Sequence, residues 1–206
     1  MKKIEEMTTE ELAGLVCSTL HKAGVTVTLT GGGCVAIWSQ GKYVSDDLDF
    51  VEEGPVTRRT IRDALFPLGF QEKGRHFVHV KAKFFVEFPN GPLMVGGQRI
   101  DKVALRETPS GRLRLLSPTD SVKDRLAAFF HWDDRQSMEQ AVFVALAQTI
   151  DLKDVRRWAI EEGHEAKFLL FKSAAELAKA NAAERSIAPH VSKTKKESTT
   201  RRRRSS

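Results

Sequence analysis

Between Leu29 and Phe50 the chain reads Leu-Thr-Gly-Gly-Gly-Cys-Val-Ala-Ile-Trp-Ser-Gln-Gly-Lys-Tyr-Val-Ser-Asp-Asp-Leu-Asp-Phe. A run rich in β-branched residues, 25–29, stops at Gly31-Gly32-Gly33, and an apolar stretch, 34–38, follows before Gly41. This predicts a strand, a glycine turn, a short helix opening behind the turn, and a second strand over residues 48–51. A chain with this order must build a mixed sheet with a helix N-terminus beside it.

Two chemical features meet in this stretch. Glycines let anionic oxygens approach the backbone, and the free N–H groups of a helix start favour an anion. Gly32 and Gly33 are therefore candidate phosphate ligands, although three glycines can equally form a tight turn and nothing more. They are not a Walker A loop, because Gly41-Lys42 has Ala36 where a glycine is needed and Tyr43 follows it. The second feature is Asp47-x-Asp49. Residues two apart in a strand share a face, so both carboxylates converge while Leu48 and Phe50 point into apolar packing. Paired carboxylates repel unless a proton or cation lies between them, and hard oxygen donors suit Mg²⁺ (or Mn²⁺) carrying a nucleotide phosphate. Read alone, Asp46-Asp47 is also compatible with a solvated turn or a helix cap.

A third acid, Glu87, stands among Phe84, Phe85, Val86 and Phe88. A carboxylate in such a strand is costly unless paired or metal-bound, though an edge strand can carry one to deter aggregation. If its strand lies beside that of Asp47 and Asp49, the three acids form a two-metal site for phosphoryl or nucleotidyl transfer. His76 and His79 are three apart in a strand-like segment, so they face opposite ways and cannot share a metal.

The glycine turn, the short helix, the Ser45-x-Asp47-Leu48-Asp49-Phe50 motif and the later Val86-Glu87-Phe88 strand resemble the DNA polymerase β nucleotidyltransferase superfamily. Within it the chain is most similar to AbiEii-type nucleotidyltransferases, whose members include toxins of toxin–antitoxin pairs. The resemblance covers residues 25–88 and is looser beyond them. It implies that Gly32, Gly33 and Ser45 hold the nucleotide, and that Asp47, Asp49 and Glu87 are the catalytic and metal-binding acids. Lys42 stands where the family often has a basic residue, and Lys123 or Arg125 would meet the triphosphate from the helical side. It further implies transfer of a nucleoside monophosphate from a nucleoside triphosphate to an RNA, protein or small-molecule acceptor. A toxin role and a cognate antitoxin or operon partner come with it. Many superfamily members have Gly-Ser at the turn and Asp as the third acid, where this chain has Gly-Gly-Gly-Cys and Glu87. A catalytically inactive fold acting as a binding module is the alternative.

Past residue 116 the character changes. Four helical segments are predicted, at residues 119–131, 134–149, 151–162 and 164–184. The expected organisation is an α/β nucleotidyltransferase-like domain with a mixed sheet at residues 1–116, a helical domain at 117–186, and a disordered basic tail at 187–206. Charge supports the last boundary. Of 33 Lys and Arg against 27 Asp and Glu, seven bases and one acid lie in residues 189–206, so the tail carries the whole net charge of +6 and the rest is neutral. Its arginines suit nucleic-acid phosphates, or merely keep the chain soluble. The two cysteines, Cys17 and Cys34, cannot make a disulfide framework. No apolar run approaches the ~20 residues of a membrane span, and the start of the chain lacks a secretory signal pattern. A cytoplasmic setting without membrane contact is expected.

Overall fold

The computed structural model describes residues 2–187, and the basic tail expected from the sequence lies, from residue 188 on, outside them. The chain forms a mixed α/β sheet with flanking helices, followed by a C-terminal helical part. Helix α1 (Thr9–Lys22) begins at a capping box, in which Thr8 Oγ1 accepts from the Glu11 amide and Glu11 Oε2 accepts from the Thr8 amide. Its stripe of Leu12, Leu15, Val16 and Leu20 is buried.

Strand β1 (Thr26–Thr30) runs directly into α2 (Gly31–Trp38). The three glycines are thus the first turn of the helix, not a separate turn ahead of it. Gly31 makes this possible: its φ of +61° redirects the chain within one residue, a conformation that costs a side chain dearly. Next come β2 (Asp47–Glu53), α3 (Arg58–Leu65), β3 (Gln71–Lys73), β4 (His76–Val78) and β5 (Phe85–Glu87). A short hairpin, β6 (Met94–Val95) and β7 (Gln98–Arg99), forms a separate two-stranded sheet. Strands β8 (Ala104–Thr108) and β9 (Gly111–Leu115) form a hairpin.

The sheet has seven strands in the order β3-β4-β5-β2-β1-β9-β8. Strand β2 is antiparallel to β1 and parallel to β5, and β1 is parallel to β9. Leu48, Phe50, Phe77 and Val86 are fully buried, and the Phe88 ring stacks on Phe50 at 6.1 Å and meets Phe77 edge-on at 5.5 Å. This apolar layer fixes the register of the strands that carry the acids, because a one-residue slip would turn each side chain to the wrong face.

The helical part comprises α4 (Pro118–Trp132), α5 (Arg135–Ala147), α6 (Leu152–Glu161) and α7 (Glu165–Ile187). The first three open on Ser117, Asp134 and Asp151, each accepting from backbone amides of its own first turn. Phe130 stacks on Trp158 at 5.3 Å inside this part. It is joined to the sheet at Trp38, whose indole donates to Leu116 O at 2.9 Å and whose carbonyl accepts from Gln148 Nε2 at 2.8 Å. No helix among the described residues is long and apolar enough to cross a membrane.

Candidate active site

The site grows from the β2–β5 ladder. Their parallel register pairs Asp47 with Phe85, Leu48 with Val86, and Asp49 with Glu87. The two acids of one strand and the acid of another, which the sequence leaves as separate motifs, therefore lie on adjacent strands. Leu48 and Val86, one residue before Asp49 and Glu87, are fully buried. The period-2 alternation of a strand thus puts the carboxylates on the other side from the packed core.

The glycine helix abuts this pair. A Cβ on Gly31 would overlap Asp49 Oδ2, and one on Gly32 would lie 2.6 Å from Ser45 Oγ. Only glycine allows the first turn of α2 to sit this close to the acids. Ser45 is buried and donates to Asp47 Oδ1 at 2.7 Å, which fixes that carboxylate's orientation. Tyr43, whose hydroxyl is 3.4 Å from the position of a Gly32 Cβ, stands on the same side and has no clear signal in the sequence. Lys42, the basic residue just before the acids, is exposed.

Charge in the site is unbalanced. Burial, together with the negative charges of Asp47 and Glu87, pushes the Asp49 carboxyl up to about 7, against a smaller opposing pull from Arg125. The Arg125 guanidinium is anchored on Asp124 Oδ2 through Nε at 2.9 Å and Nη2 at 2.6 Å. Its burial works against its charge, but Asp124, with Asp49 contributing, outweighs this and raises its pKa. One cation thus faces the acids from the helical side.

Of the two residues expected there, Lys123 goes elsewhere. Two residues apart on a helix means ~200° of rotation, so one helix cannot present both side chains to one cleft. Lys123 is only 1% exposed, and its Nζ lies 2.5 Å from Asp154, 3.7 Å from Asp120 and 3.1 Å from Gln98 Oε1. It ties α4 to α6 and to the β6–β7 hairpin.

Glu87 has a partner the sequence did not suggest. Antiparallel pairing of β4 with β5 places His76 opposite Glu87, and His76 Nε2 touches Glu87 Oε1. The imidazole also stacks on Phe85 at 4.7 Å. Arg75 Nε stands 3.8 Å from the same carboxylate oxygen. His79, by contrast, packs on Phe70 at 5.4 Å. Only strand register reveals the His76–Glu87 pair, because no local spacing rule tells which residues of two neighbouring strands come to lie opposite each other.

Asp47 and Asp49 offer carboxylate oxygens, which suit a hard divalent cation, and the Asp49 carboxyl is raised by burial first and by its neighbours' charge second. Among the described residues, no group of three or more His, Cys, Asp or Glu side chains is arranged to hold a metal ion, and Glu87 is engaged by His76. Cys34, on α2, is fully buried beside Leu116 O, and burial pushes its thiol up to about 12, which removes it from nucleophilic chemistry.

No protein-family model matches the chain, and no curated protein matches it. Solved structures do. An antigenic nucleotidyltransferase-like protein from Paracoccidioides brasiliensis is similar over 66% of this chain and 74% of its own, at 13% identity and a TM-score of 0.48. The solution structure of the antibiotic-resistance factor ANT(2'')-Ia is similar over 87% of this chain and 96% of its own, at 13% identity and a TM-score of 0.42. The crystal structure of ANT(2'')-Ia in complex with adenylyl-2''-tobramycin is similar over 81% of this chain and 99% of its own, at 14% identity and a TM-score of 0.44.

Proposed function

We propose that this chain is a metal-dependent nucleotidyltransferase that moves a nucleoside monophosphate from a nucleoside triphosphate to an acceptor hydroxyl. The observation that carries the reading is the pairing of Asp49 with Glu87 across β2 and β5, with Asp47 two residues away and the glycine start of α2 against them. Neighbouring carboxylates that raise one another's proton affinity suit a site that meets a cation and a polyanion together.

In this reading Asp47 and Asp49 hold Mg²⁺, or Mn²⁺, with Ser45 keeping the Asp47 carboxylate in place. Bound there, the metal would neutralise phosphate charge and polarise the reacting phosphoryl group. The amides of Gly32 and Gly33 face the phosphates, where the helix start favours negative charge. Arg125 supplies positive charge from the helical side. Glu87 orients the acceptor hydroxyl and accepts its proton as the oxygen attacks the α-phosphorus. The P–O bond to the β-phosphate breaks, and pyrophosphate leaves. The acceptor class stays open between RNA, protein and a small molecule, and a toxin role is one setting in which such transfer would operate.

The test is incubation of the full chain with each α-labelled nucleoside triphosphate, Mg²⁺ and total bacterial RNA and protein, beside an Asp47→Ala/Asp49→Ala variant. Label in RNA or protein with the unmutated chain alone would identify both base and acceptor. No label, together with no Asp47-dependent binding of a Mg²⁺–nucleotide, would instead leave a binding module built on this fold.

A further inference from the structure

We propose that the corner of the fold built from α3 and the β3–β4 edge of the sheet binds single-stranded nucleic acid. Binding there requires no chemistry at the acids, so it stands or falls apart from nucleotidyl transfer.

The neutrality of residues 1–188 conceals a segregation of charge. Residues 58–85 hold seven Lys and Arg against two Asp and Glu, and the rest of that span carries the compensating negative charge. The fold gathers this segment at one corner, where α3 packs beside β3, the edge strand of the sheet. Two acids there serve three arginines: Asp63 is shared by Arg59 and Arg62, and Glu72 by Arg58 and Arg62. Arg58 is committed to the fold, since it donates to Glu72 and to Arg75 O and covers the Phe77 ring at 4.4 Å. Arg59 and Arg62 are held only by exposed pairs, which are weak and can be exchanged for phosphate. Lys73 and Arg75 carry the positive charge around the β3–β4 turn. Lys73 is exposed and has no acidic partner among the described residues, and the Arg75 side chain is 82% exposed.

Beside these cations lies an open cavity of about 560 Å³, lined by Arg62, Phe66, Phe70, Gln71, Glu72 and Gly74. Phe66, just past the end of α3, is 70% exposed. An exposed ring among arginines is a stacking platform for a base, and the cations track the phosphates. Gln71 adds an amide donor and acceptor in the same cavity, the complement of a base edge. This combination selects among polyanions. An acidic peptide would use the cations but supplies no flat ring for Phe66, and a lipid surface supplies no hydrogen-bonding edge for Gln71.

Strand register ties this corner to the acids. Lys73 is opposite His76, His76 is opposite Glu87, and Glu87 is opposite Asp49. Residues directly opposed across strands share a face. The cationic edge and the acids therefore lie on one surface, three strand spacings or about 14 Å apart.

The test is fluorescence anisotropy of labelled oligoadenylates of about ten nucleotides, as RNA and as DNA, titrated with the full chain over a range of salt. Inorganic polyphosphate and polyglutamate serve as competitors without bases. All proteins carry Arg201→Ala, Arg202→Ala, Arg203→Ala and Arg204→Ala, so that the tail does not mask the surface, and circular dichroism establishes folding. Phe66→Ala should weaken oligonucleotide binding by about fivefold or more and leave competition by polyphosphate unchanged. Lys73→Ala/Arg75→Ala should lower the slope of log affinity against log salt by about 1.4. Lys172→Ala/Lys179→Ala, the same loss of charge on α7, should leave that slope as it is. Tighter binding of RNA identifies RNA as the ligand, and equal binding identifies a single strand of either kind. Absence of oligonucleotide binding overturns the proposal, as does binding that both Phe66→Ala and Lys73→Ala/Arg75→Ala leave unchanged. Polyglutamate that competes as well as unlabelled oligonucleotide also overturns it, in favour of an acidic protein partner.

Discussion

Asp49 and Glu87 face each other as register partners across parallel strands, and Glu87 is in turn the register partner of His76 across an antiparallel pair. Two consecutive ladders thus line up carboxylate, carboxylate and imidazole across β2, β5 and β4. The Asp49 end of this row lies under the glycine helix, and the His76 end lies toward the sheet edge formed by β3.

This row makes the metal-free protein pH-dependent at Asp49. Its folded carboxyl titrates near 7 instead of 3.8, because of burial first and the neighbouring acids second. The unfolded chain releases that proton at the lower pH and the folded chain retains it to the higher. Stability therefore declines as pH rises between about 4 and 7. Asp49→Asn cannot ionise, so it should exceed the metal-free parent in stability by about 2 kcal/mol at pH 8 and match it near pH 4. Urea denaturation of both proteins at the two pH values, in chelator, measures the difference.

Gly31 combines a left-handed φ with a backbone pressed against Asp49. Gly31→Ala should lose about 1–3 kcal/mol of stability, and it should displace the Asp49 carboxylate. Gly41→Ala is the control for conformation alone, since Gly41 also has positive φ but nothing near its missing Cβ. Thermal melts should fall in both variants, whereas Mn²⁺ binding should fall only in Gly31→Ala.

Lys123 and Arg125 should part company under substitution. Lys123→Met removes the buried partner of Asp154 and should cost about 3 kcal/mol of stability, leaving Mg²⁺–nucleotide affinity in the folded fraction unchanged. Arg125→Ala should weaken that affinity by about tenfold, since a charge-assisted contact is worth about 1.5–3 kcal/mol. Parallel urea denaturation and nucleotide titration of the two variants provide the comparison.

Both thiols should be silent toward a disulfide reagent such as Ellman's reagent in the native state. Burial raises Cys17 above its ordinary value and pushes Cys34 to about 12, so thiolate is scarce and access poor. Two equivalents should react promptly after denaturation, and rapid labelling of native protein at neutral pH would contradict the buried placement.

Much of the site could be read from local pattern. The alternation of Asp47, Leu48, Asp49 and Phe50 assigns two carboxylates to one face wherever the strand goes, because side-chain direction in a strand depends only on parity. The Thr8–Glu11 capping box and the helices after residue 117 are equally local signals. The sequence pattern places the start of α2 at Cys34, three residues later than the structure: glycine's poor helix propensity argues for a turn, and tertiary contact with Asp49 and Ser45 makes glycine the residue that fits in the helix itself.

What the sequence determined by itself was therefore the set of groups and their local geometry: an acid pair on one strand face, a glycine-rich helix start, a lone acid in an aromatic strand. Which groups meet was decided only by tertiary structure. The parallel register of β2 and β5 brings Glu87 to Asp49, the antiparallel register of β4 and β5 brings His76 to Glu87, and the rotation of α4 selects Arg125 over Lys123. Such choices are made by the burial of Leu48, Phe50, Phe77 and Val86 between strands distant in the chain. Their energy belongs to the packed core as a whole and leaves no short-range mark on the residues that end up paired.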